Sequence, residues 1–184
     1  MTSATGSSGT TKADWRRRLL AARRARSLAD RAAADSALVN TLMSTCGERG
    51  VRVAAAYSPL LTEPGGPGLL PALASVASSV LIPVLLADRD LDWEAWSATG
   101  PLLGKAAIGR ADLVVVPAVA VDLRGVRLGR GGGSYDRALT RVAPGALVVA
   151  LLFDGELVDA LPAEPHDRRV DAVITPSGGL RHVG

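Results

Sequence analysis

The stretch LGRGGGSYDR, residues 128–137, places four glycines within five consecutive positions. Glycine has no side chain and readily adopts positive φ angles, so such a loop can hold an anion against bare backbone N–H groups. Ser134 follows the glycines and is predicted to cap a helix that carries Ala138, Leu139 and Val142 on its apolar side. The stretch therefore predicts a phosphate-binding loop that opens onto a helix N-terminus.

Charged side chains beside the glycines favour the same function. Arg130 and Arg137 bracket the turn with positive charge, and Asp136 supplies the kind of hard oxygen ligand that Mg²⁺ prefers. The simpler alternative is an ordinary tight turn before a helix. No lysine follows the glycines, which argues against a P-loop, and no acidic residue ends a second strand at the distance that a dinucleotide fold requires.

The composition predicts one soluble globular domain. The chain has 184 residues, of which 48% are hydrophobic and 21% are charged, as in ordinary domains that bury a sizeable core. A net charge of +3 is too small for the whole surface to attract nucleic acid. Residues 1–11 are rich in Ser, Thr and Gly and are expected to form a disordered tail, which leaves residues 12–184 as a single α/β domain.

Cysteine content and hydropathy indicate where the protein works. A single cysteine, Cys46, cannot form an internal disulfide, which suits a reducing cytoplasm. No apolar run approaches the ~20 residues of a membrane span, and the polar N-terminus does not resemble a signal peptide. We therefore expect a cytoplasmic protein with no membrane partner.

Arginines crowd a predicted helix that starts at Lys12. Trp15, Leu19, Ala22 and Ala25 recur at helical spacing, and arginine fills most of the positions between them. The solvated face of a docked helix would explain this pattern, and so would an anionic substrate, nucleic acid or a membrane surface. Only Trp15 interrupts the basic face with a bulky apolar side chain, which argues against nucleic acid and membranes.

Apolar runs further along the chain alternate between helix and strand patterns. A second helix is expected from a Ser27 cap to Gly47 and Gly50. The other predicted elements are a strand 51–57, a helix 69–77, a strand 80–86 placed at an edge or bulge by Pro83, a short strand 91–95, a buried strand 113–121, a helix after Tyr135, a strand 147–153 and a last strand 172–175. Alternating strands and helices predict a three-layer α/β/α sandwich around a mostly parallel sheet.

A long loop follows the first predicted strand, from Ser58 to Gly68. Ligands of α/β sheets tend to bind at loops that follow the carboxyl ends of strands. Glu63 in this loop is therefore a candidate ligand contact. A glutamate that is merely solvated on an exposed loop would give the same pattern.

Four segments together resemble the 5-formyltetrahydrofolate cyclo-ligase family, whose members are also called 5,10-methenyltetrahydrofolate synthetases. They are Lys12–Arg16, Tyr57–Glu63, Arg127–Arg137 and the run from Leu161-Pro162 through His166-Asp167 to Val170-Asp171. The resemblance covers nearly the whole chain after the tail. It implies a fold related to phosphosugar isomerases and CoA transferases, and MgATP-dependent closure of 5-formyltetrahydrofolate to 5,10-methenyltetrahydrofolate with release of ADP and phosphate.

The resemblance also implies roles for individual residues. The ATP-binding residues would be Lys12, Ala13, Asp14, Trp15, Arg16, Leu128, Gly129, Arg130, Gly131, Gly132, Gly133, Ser134, Tyr135 and Asp136. The folate would contact Ser58, Glu63, Gly131, Gly132, Gly133, Ser134 and Tyr135. Asp136 and Asp167 would bind Mg²⁺, and Lys12, Arg130 and Tyr135 would take part in catalysis. His166 receives no catalytic role.

Two positions depart from the family pattern. Ser134 stands where the family has the first of two adjacent tyrosines, so one aromatic wall of the folate site is absent. Arg110-Ala111-Asp112 replaces a segment that normally carries a Glu-Pro pair. The alternatives are a folate- or nucleotide-binding paralogue without turnover and, ranked last, a basic-helix module for nucleic acid or anionic lipid. The expected enzyme is a monomer that acts on a small-molecule folate, with or without a polyglutamate tail, and binds no nucleic acid.

Overall fold

The computed structural model describes residues 10–97, 100–165 and 167–184. Residues 1–9 of the predicted tail, and His166, lie outside the described residues. The helices are α1 (Lys12–Ala25), α2 (Leu28–Arg49), α3 (Leu69–Val76) and α4 (Ser134–Ala138), with 3₁₀ turns at Lys105–Arg110 and Leu139–Arg141. The strands are β1 (Val53–Ala56), β2 (Ser79–Leu85), β3 (Leu91–Ala95), β4 (Leu113–Val116), β5 (Ala120–Asp122), β6 (Arg127–Leu128), β7 (Leu147–Leu151), β8 (Leu157–Val158), β9 (Ala172–Thr175) and β10 (Gly179–His182).

A sheet with the strand order β10-β9-β7-β4-β1-β2-β3 forms the centre of the molecule. Its inner strands β9, β7, β4, β1 and β2 run parallel, and the outer strands β10 and β3 are antiparallel to their neighbours. Every residue of β4 and β7 is buried, which explains their unbroken runs of Leu, Val and Ala. The predicted mostly parallel sheet is confirmed.

Helices α2 and α3 cover one face of this sheet. Leu38 of α2 and Leu69 of α3 are fully buried in the cluster that they form with the strands. The opposite face is covered by the 3₁₀ turns and α4, which contribute Ile108 and Ala138 to a second buried cluster that also contains Trp93 of the outer strand β3. The three predicted layers are present, but short turns rather than long helices build the second outer layer.

The apolar run from Leu113 to Val121 does not form the single long strand that its composition predicts. It divides into β4 and β5, which lie in different sheets, and Pro117 stands between them. Proline has no N–H to donate and fixes φ, so it interrupts a ladder that would otherwise continue. After the break, β5 pairs with β6 and β8 in a separate small sheet, which no sequence pattern predicted.

Pro83 lies in β2, but β2 is not the edge strand that the proline predicts, because β3 pairs with its outer side. Leu86 N donates to Asp90 O across that pair, so residues in phase with Pro83 point their N–H groups away from β3. On the inner side, the pairing with β1 ends at Leu81. The edge prediction is therefore wrong, because β2 lies between β1 and β3, although its pairing with β1 ends two residues before Pro83.

The ends of α2 were predicted in part. Asp30 N donates to Ser27 Oγ at 3.1 Å, as expected of the cap. The helix continues through Gly47 and ends at Gly50, which has a φ of 60°. A left-handed residue stops a helix and favours glycine, whereas a glycine inside a helix only weakens it.

Strand β10, which follows β9, was not predicted.

Helix α1 packs on the small sheet rather than on the large one. Its apolar side chains Trp15, Leu19 and Leu20 meet a cluster that contains Val126 and Leu128. Val126 and Leu128 directly precede residues 129–133, which we call the glycine loop, so this packing brings the first turn of α1 next to that loop. Within the described part of the chain, no helix combines the length and the apolarity that crossing a bilayer requires.

The basic face of α1 is partly buried. Arg23 is 1% exposed and donates to both carboxylate oxygens of Glu156 at 2.7 Å. It also donates to the Ala118 carbonyl at 2.7 Å. This arginine therefore fastens α1 to the small sheet, and the arginine-rich pattern is not explained by solvation alone.

Asp90, in the turn between β2 and β3, ties this hairpin to the 3₁₀ turns. Arg141 Nη2 donates to Asp90 Oδ1 at 2.6 Å, and Lys105 Nζ lies 3.4 Å from Oδ2. The hydrogen bond from Arg141 lowers the pKa of Asp90 from 3.8 to about 2. A carboxyl whose pKa is lower in the folded state stabilises the fold above its unfolded pKa, and this contribution is lost as the pH falls from about 4 to about 2.

We expect Asp90→Asn to lower the free energy of unfolding by about 1–2 kcal/mol at neutral pH, with a difference that shrinks as the acid protonates the wild-type carboxyl. Urea denaturation of both proteins over a series of pH values measures the difference. If the two free energies of unfolding differ by the same amount down to a pH of about 2, the Asp90 charge is not the cause of the difference.

Candidate active site

A cavity of about 410 Å³ opens where the carboxyl ends of β1 and β4 meet β6 and the glycine loop; we call it the central cavity. Its lining includes these residues predicted from the sequence: Lys12, Arg16, Ser58, Glu63, Leu128, Gly129, Arg130, Gly131, Gly132, Gly133, Ser134, Tyr135, Asp136 and Asp167. A second, adjoining cavity shares with it Lys12, Arg16, Gly131, Gly133, Asp136 and Asp167. Segments from both ends of the chain therefore converge on one region.

Positive φ angles at Gly131 (105°) and Gly133 (69°) shape the glycine loop, as its composition predicts. The predicted cap at Ser134 is wrong. Gly133 occupies the N-cap position with no side-chain hydrogen bond, because its left-handed conformation starts the helix one residue earlier. Helix α4 has only five residues, so the loop offers an anion its backbone N–H groups and neighbouring cations more than a helix dipole.

The first turn of α1 touches the glycine loop directly. Arg16 Nε donates to the Gly129 carbonyl at 2.8 Å, and a Cβ at Gly131 would lie 3.7 Å from the guanidinium carbon of Arg16. A capping box formed by Thr11 and Asp14 sets the start of this helix. The cap therefore fixes the place from which the basic side chains of the first turn reach the cavities.

Lys12 points its ammonium group at two carboxylates. Its Nζ lies 2.9 Å from Glu164 Oε1 and 2.9 Å from Asp167 Oδ2. Burial alone would lower the pKa of Lys12, but hydrogen bonds to Asp167 and Glu164 outweigh it and raise the pKa above 10.5. The side chain is therefore positively charged at neutral pH and presents a compact charge of the kind that suits phosphate.

Asp136 and Asp167 line both cavities. Asp136 Oδ1 accepts from Arg127 Nη2 at 2.9 Å, and no hydrogen bond among the described residues uses Asp136 Oδ2. Mg²⁺ at nucleotide sites commonly takes one or two carboxylates and completes its shell with water and phosphate oxygens. This donor set fits that coordination. Groups of three or more His, Cys, Asp or Glu placed for a metal do not occur among the described residues.

Arg127 lines the central cavity although no sequence pattern singled it out. Its side chain is 4% exposed and also donates to the Pro117 carbonyl at 3.1 Å. A Cβ at Gly129 would approach its Nη1 to 2.8 Å, so a side chain there would push the Arg127 guanidinium aside. Arg127 Nε and the Tyr135 hydroxyl are buried and have no hydrogen-bond partner within the described chain. Donors without a protein partner at a cavity wall are available to an accepting oxygen of a ligand or of water.

The hydroxyl of Tyr135 remains a donor over the physiological range. Burial raises the pKa of Tyr135 well above its ordinary value, and the Arg127 guanidinium, 5.7 Å from the ring centre, offsets only part of this effect. A protonated phenol can donate a hydrogen bond to an anionic oxygen.

Glu63 is 7% exposed and belongs to the wall of the central cavity. Its Oε2 accepts from Leu60 N at 2.9 Å, and its Oε1 accepts from Arg130 Nε at 2.8 Å. Tyr57 Oη donates to the Pro64 carbonyl at 2.6 Å, which holds the loop against the end of β1. Glu63 is therefore a buried, hydrogen-bonded part of the cavity wall. The alternative of a solvated glutamate on an exposed loop is wrong.

Three predicted ATP contacts do not line the central cavity. Ala13 lines only the adjoining cavity. Asp14 lies outside both and serves the helix cap. Trp15 packs in the cluster beneath α1, and the Arg18 guanidinium carbon lies 4.2 Å from the centre of its ring. The side chains of Asp14 and Trp15 therefore support the position of α1 and line neither cavity.

Comparison with known proteins identifies the family. Residues 8–176 match the model of the 5-formyltetrahydrofolate cyclo-ligase family. The chain belongs to this family. The family identification made from four sequence segments is confirmed, and with it the expectation of a ligase that converts 5-formyltetrahydrofolate to 5,10-methenyltetrahydrofolate.

Individual cyclo-ligases and solved structures resemble the chain over most of its length. A 5-formyltetrahydrofolate cyclo-ligase of Mycolicibacterium smegmatis is 40% identical over 147 residues, which cover 70% of this chain and 76% of the relative. The NMR structure of Aquifex aeolicus 5,10-methenyltetrahydrofolate synthetase has a TM-score of 0.78 at 24% identity, with 93% of this chain and 92% of that chain covered. A synthetase from Mycoplasma pneumoniae has a TM-score of 0.75 at 20% identity, with 88% and 96% covered. These two likenesses support the α/β fold of the cyclo-ligase family.

Proposed function

We propose that this protein closes 5-formyltetrahydrofolate to 5,10-methenyltetrahydrofolate with consumption of ATP and Mg²⁺, at the two joined cavities. The observation that carries the proposal is the contact of α1 with the glycine loop, through the 2.8 Å hydrogen bond from Arg16 to Gly129. This contact surrounds the cavities with backbone N–H groups, cations and two carboxylates. Such an arrangement suits a nucleotide triphosphate and its metal beside a second substrate.

The triphosphate would occupy the adjoining cavity and reach into the central one. Lys12 and Arg16 would neutralise phosphate charge, and the N–H groups from Gly131 to Gly133 would donate to phosphate oxygens. Asp136 and Asp167 would hold Mg²⁺, which when bound withdraws charge from the phosphate oxygens. Arg127 would keep the Asp136 carboxylate oriented through its 2.9 Å hydrogen bond.

The folate would occupy the central cavity. Glu63 would accept hydrogen bonds from the N–H donors of the pterin ring, for which a carboxylate is a suitable partner. Ser58, the glycines and Tyr135 would border the ring on its other sides. The formyl group would then lie between the pterin site and the phosphates, where Arg130 and Tyr135 stand.

The formyl oxygen is a poor leaving group that must depart before the ring can close. Its attack on the γ-phosphorus forms an O–P bond and breaks the bond to the bridging oxygen, which releases ADP. N10 then attacks the formyl carbon, the C–O bond breaks, phosphate leaves with that oxygen, and N10 loses its proton. The protein acts chiefly by positioning and charge neutralisation, through Lys12, Arg130 and the Tyr135 hydroxyl.

An absorbance assay tests the proposal. The purified protein, given 5-formyltetrahydrofolate and MgATP, should generate the near-ultraviolet absorption of the methenyl product. Reactions without ATP, or with the metal chelated, are the controls. A signal no larger than that of heat-inactivated protein would overturn the proposal. Calorimetry that detects ATP or folate binding without ADP release would identify the non-catalytic paralogue instead.

Ser134 offers a gain-of-affinity test, because it lines the central cavity where the resemblance places a tyrosine. We expect Ser134→Tyr to lower the KM for 5-formyltetrahydrofolate by about 2–10-fold, since an aromatic contact contributes about 0.5–1.5 kcal/mol beyond the area it buries. Ser134→Leu adds bulk without a ring and should change the KM less. Initial rates over a range of folate concentrations measure both, and equal KM values for the tyrosine variant and the wild type would contradict the missing-wall interpretation.

The remaining expectations stay predictions. They are a monomer, a cytoplasmic location, a folate substrate with or without a polyglutamate tail, and no affinity for nucleic acid. Light scattering coupled to size-exclusion chromatography tests the first, and initial rates with mono- and polyglutamylated substrate test the third.

A further inference from the structure

We propose that Arg130 couples nucleotide binding to folate binding, because it must exchange the Glu63 carboxylate for phosphate when both ligands are bound. The inference rests on the proposed function and adds a link between its two ligands. Arg130 belongs to the glycine loop, Glu63 belongs to the loop after β1, and a 2.8 Å ion pair joins them across the wall of the central cavity.

Both oxygens of the Glu63 carboxylate are in use. Leu60 N donates to Oε2 within the same loop, and Arg130 Nε donates to Oε1. Leu60 holds Oε2 from within the loop, so a pterin N–H would share or take Oε1, the oxygen that Arg130 holds. The two partners also differ in burial, with side-chain exposures of 8% for Glu63 and 45% for Arg130. The arginine can therefore turn away without repacking the core, whereas the carboxylate stays where it is.

The other cations of the central cavity have different partners. Lys12 lies against Glu164 and Asp167, and Arg127 is bonded to Asp136. Arg16 donates to a carbonyl of the glycine loop. Within the described chain, Arg130 is thus the cavity cation that is ion-paired with the predicted folate-binding carboxylate.

Each ligand alone leaves one member of this pair poorly satisfied. Nucleotide alone draws Arg130 toward phosphate and leaves a buried carboxylate with one backbone donor, which is unfavourable. Folate alone supplies donors to Glu63 but displaces the guanidinium from its partner. With both ligands bound, the pterin satisfies Glu63 and phosphate satisfies Arg130. Each ligand therefore removes a cost of binding the other, and thermodynamic linkage makes the effect reciprocal.

Calorimetric titration of 5-formyltetrahydrofolate into the whole protein, with and without a saturating non-hydrolysable ATP analogue and Mg²⁺, measures the coupling. For the wild type we expect the analogue to lower the Kd for folate by at least about fivefold, the lower end of common coupling factors. The reverse titration should give the same factor.

Two variants separate partner exchange from structural damage. In Arg130→Ala, folate should bind without nucleotide at least as tightly as in the wild type, because nothing competes for Glu63, and the coupling factor should fall to within about twofold of one. In Glu63→Gln, the analogue alone should bind more tightly than in the wild type, because Arg130 is released. Loss of structure would weaken both interactions instead.

Arg17→Ala is the charge-matched control, since the Arg17 side chain is 76% exposed and pairs with Asp14 outside both cavities; it should keep the wild-type factor. A wild-type factor within about twofold of one, or a full factor retained by Arg130→Ala, overturns the coupling and leaves the proposed function standing. Failure of the wild type to bind either ligand overturns both, so the two failures are distinguishable.

Discussion

Lys12→Ala is expected to lower kcat/KM for MgATP by about 10²–10³-fold, the usual effect of removing one preorganised donor from a site where charge develops. Lys12 brings a compact positive charge to both cavities and lies 2.9 Å from Asp167. The substitution removes a counter-charge for the phosphates and also the cation beside a predicted metal ligand. We therefore expect a higher KM for MgATP together with a lower kcat.

Lys105→Ala is the matched control, because Lys105 is the other lysine of the chain and pairs with Asp88 on the surface, away from the two cavities. Its steady-state kinetics should match the wild type. Lys12→Arg keeps the charge but spreads it over a larger group, so its activity should fall between those of the wild type and the alanine variant. Wild-type kinetics in Lys12→Ala would remove Lys12 from the proposed phosphate site.

Arg23→Met is expected to lower the free energy of unfolding by about 3–5 kcal/mol, the usual effect of breaking a buried ion pair from one side. Arg23 is 1% exposed and Glu156 is 4% exposed. Methionine would leave the Glu156 carboxylate buried beside the Phe153 N–H without its cation, and the Ala118 carbonyl would lose its donor. Because the pair fastens α1, the first turn of that helix should also hold the glycine loop less firmly.

Urea denaturation measures this loss, and Arg24→Met, at an exposed neighbouring arginine, should stay within about 0.5 kcal/mol of the wild type. The double variant Arg23→Met with Glu156→Gln should recover part of the loss, because the uncompensated buried charge is gone. Equal unfolding curves for Arg23→Met and the wild type would show that the pair contributes nothing to stability.

Features with a strong local cause could be predicted from the sequence. Ser27 with Asp30 specifies a helix start that depends on neighbouring residues alone, and the positive φ at Gly131 follows from what glycine permits. The convergence of Lys12 and Asp167 on one site was not a local inference. It came from the resemblance to the cyclo-ligase family, because no rule of spacing brings together residues 155 positions apart.

Features that depend on distant partners could not be predicted in the same way. Pro117 indicates a break in the apolar run. Nothing local indicates that β5 joins a second sheet, because its partners β6 and β8 are only two residues long. Arg127 stands alone between Val126 and Leu128, which marks a charge inside an apolar strand. Its contacts with the cavity wall become visible only in three dimensions.

The way α1 is anchored bears on how the protein is made. Among the described residues, its long-range hydrogen bonds reach Ala118, Gly129, Glu156, Glu164 and Asp167. Ribosomes add about 5–20 residues per second, so the nascent chain carries this arginine-rich helix for several seconds before its docking surface exists. A chain stalled before residue 156 lacks the partner of Arg23. Nucleotide affinity should appear only in chains that extend past residue 167, because Glu164 and Asp167 lie beside Lys12 in the proposed site.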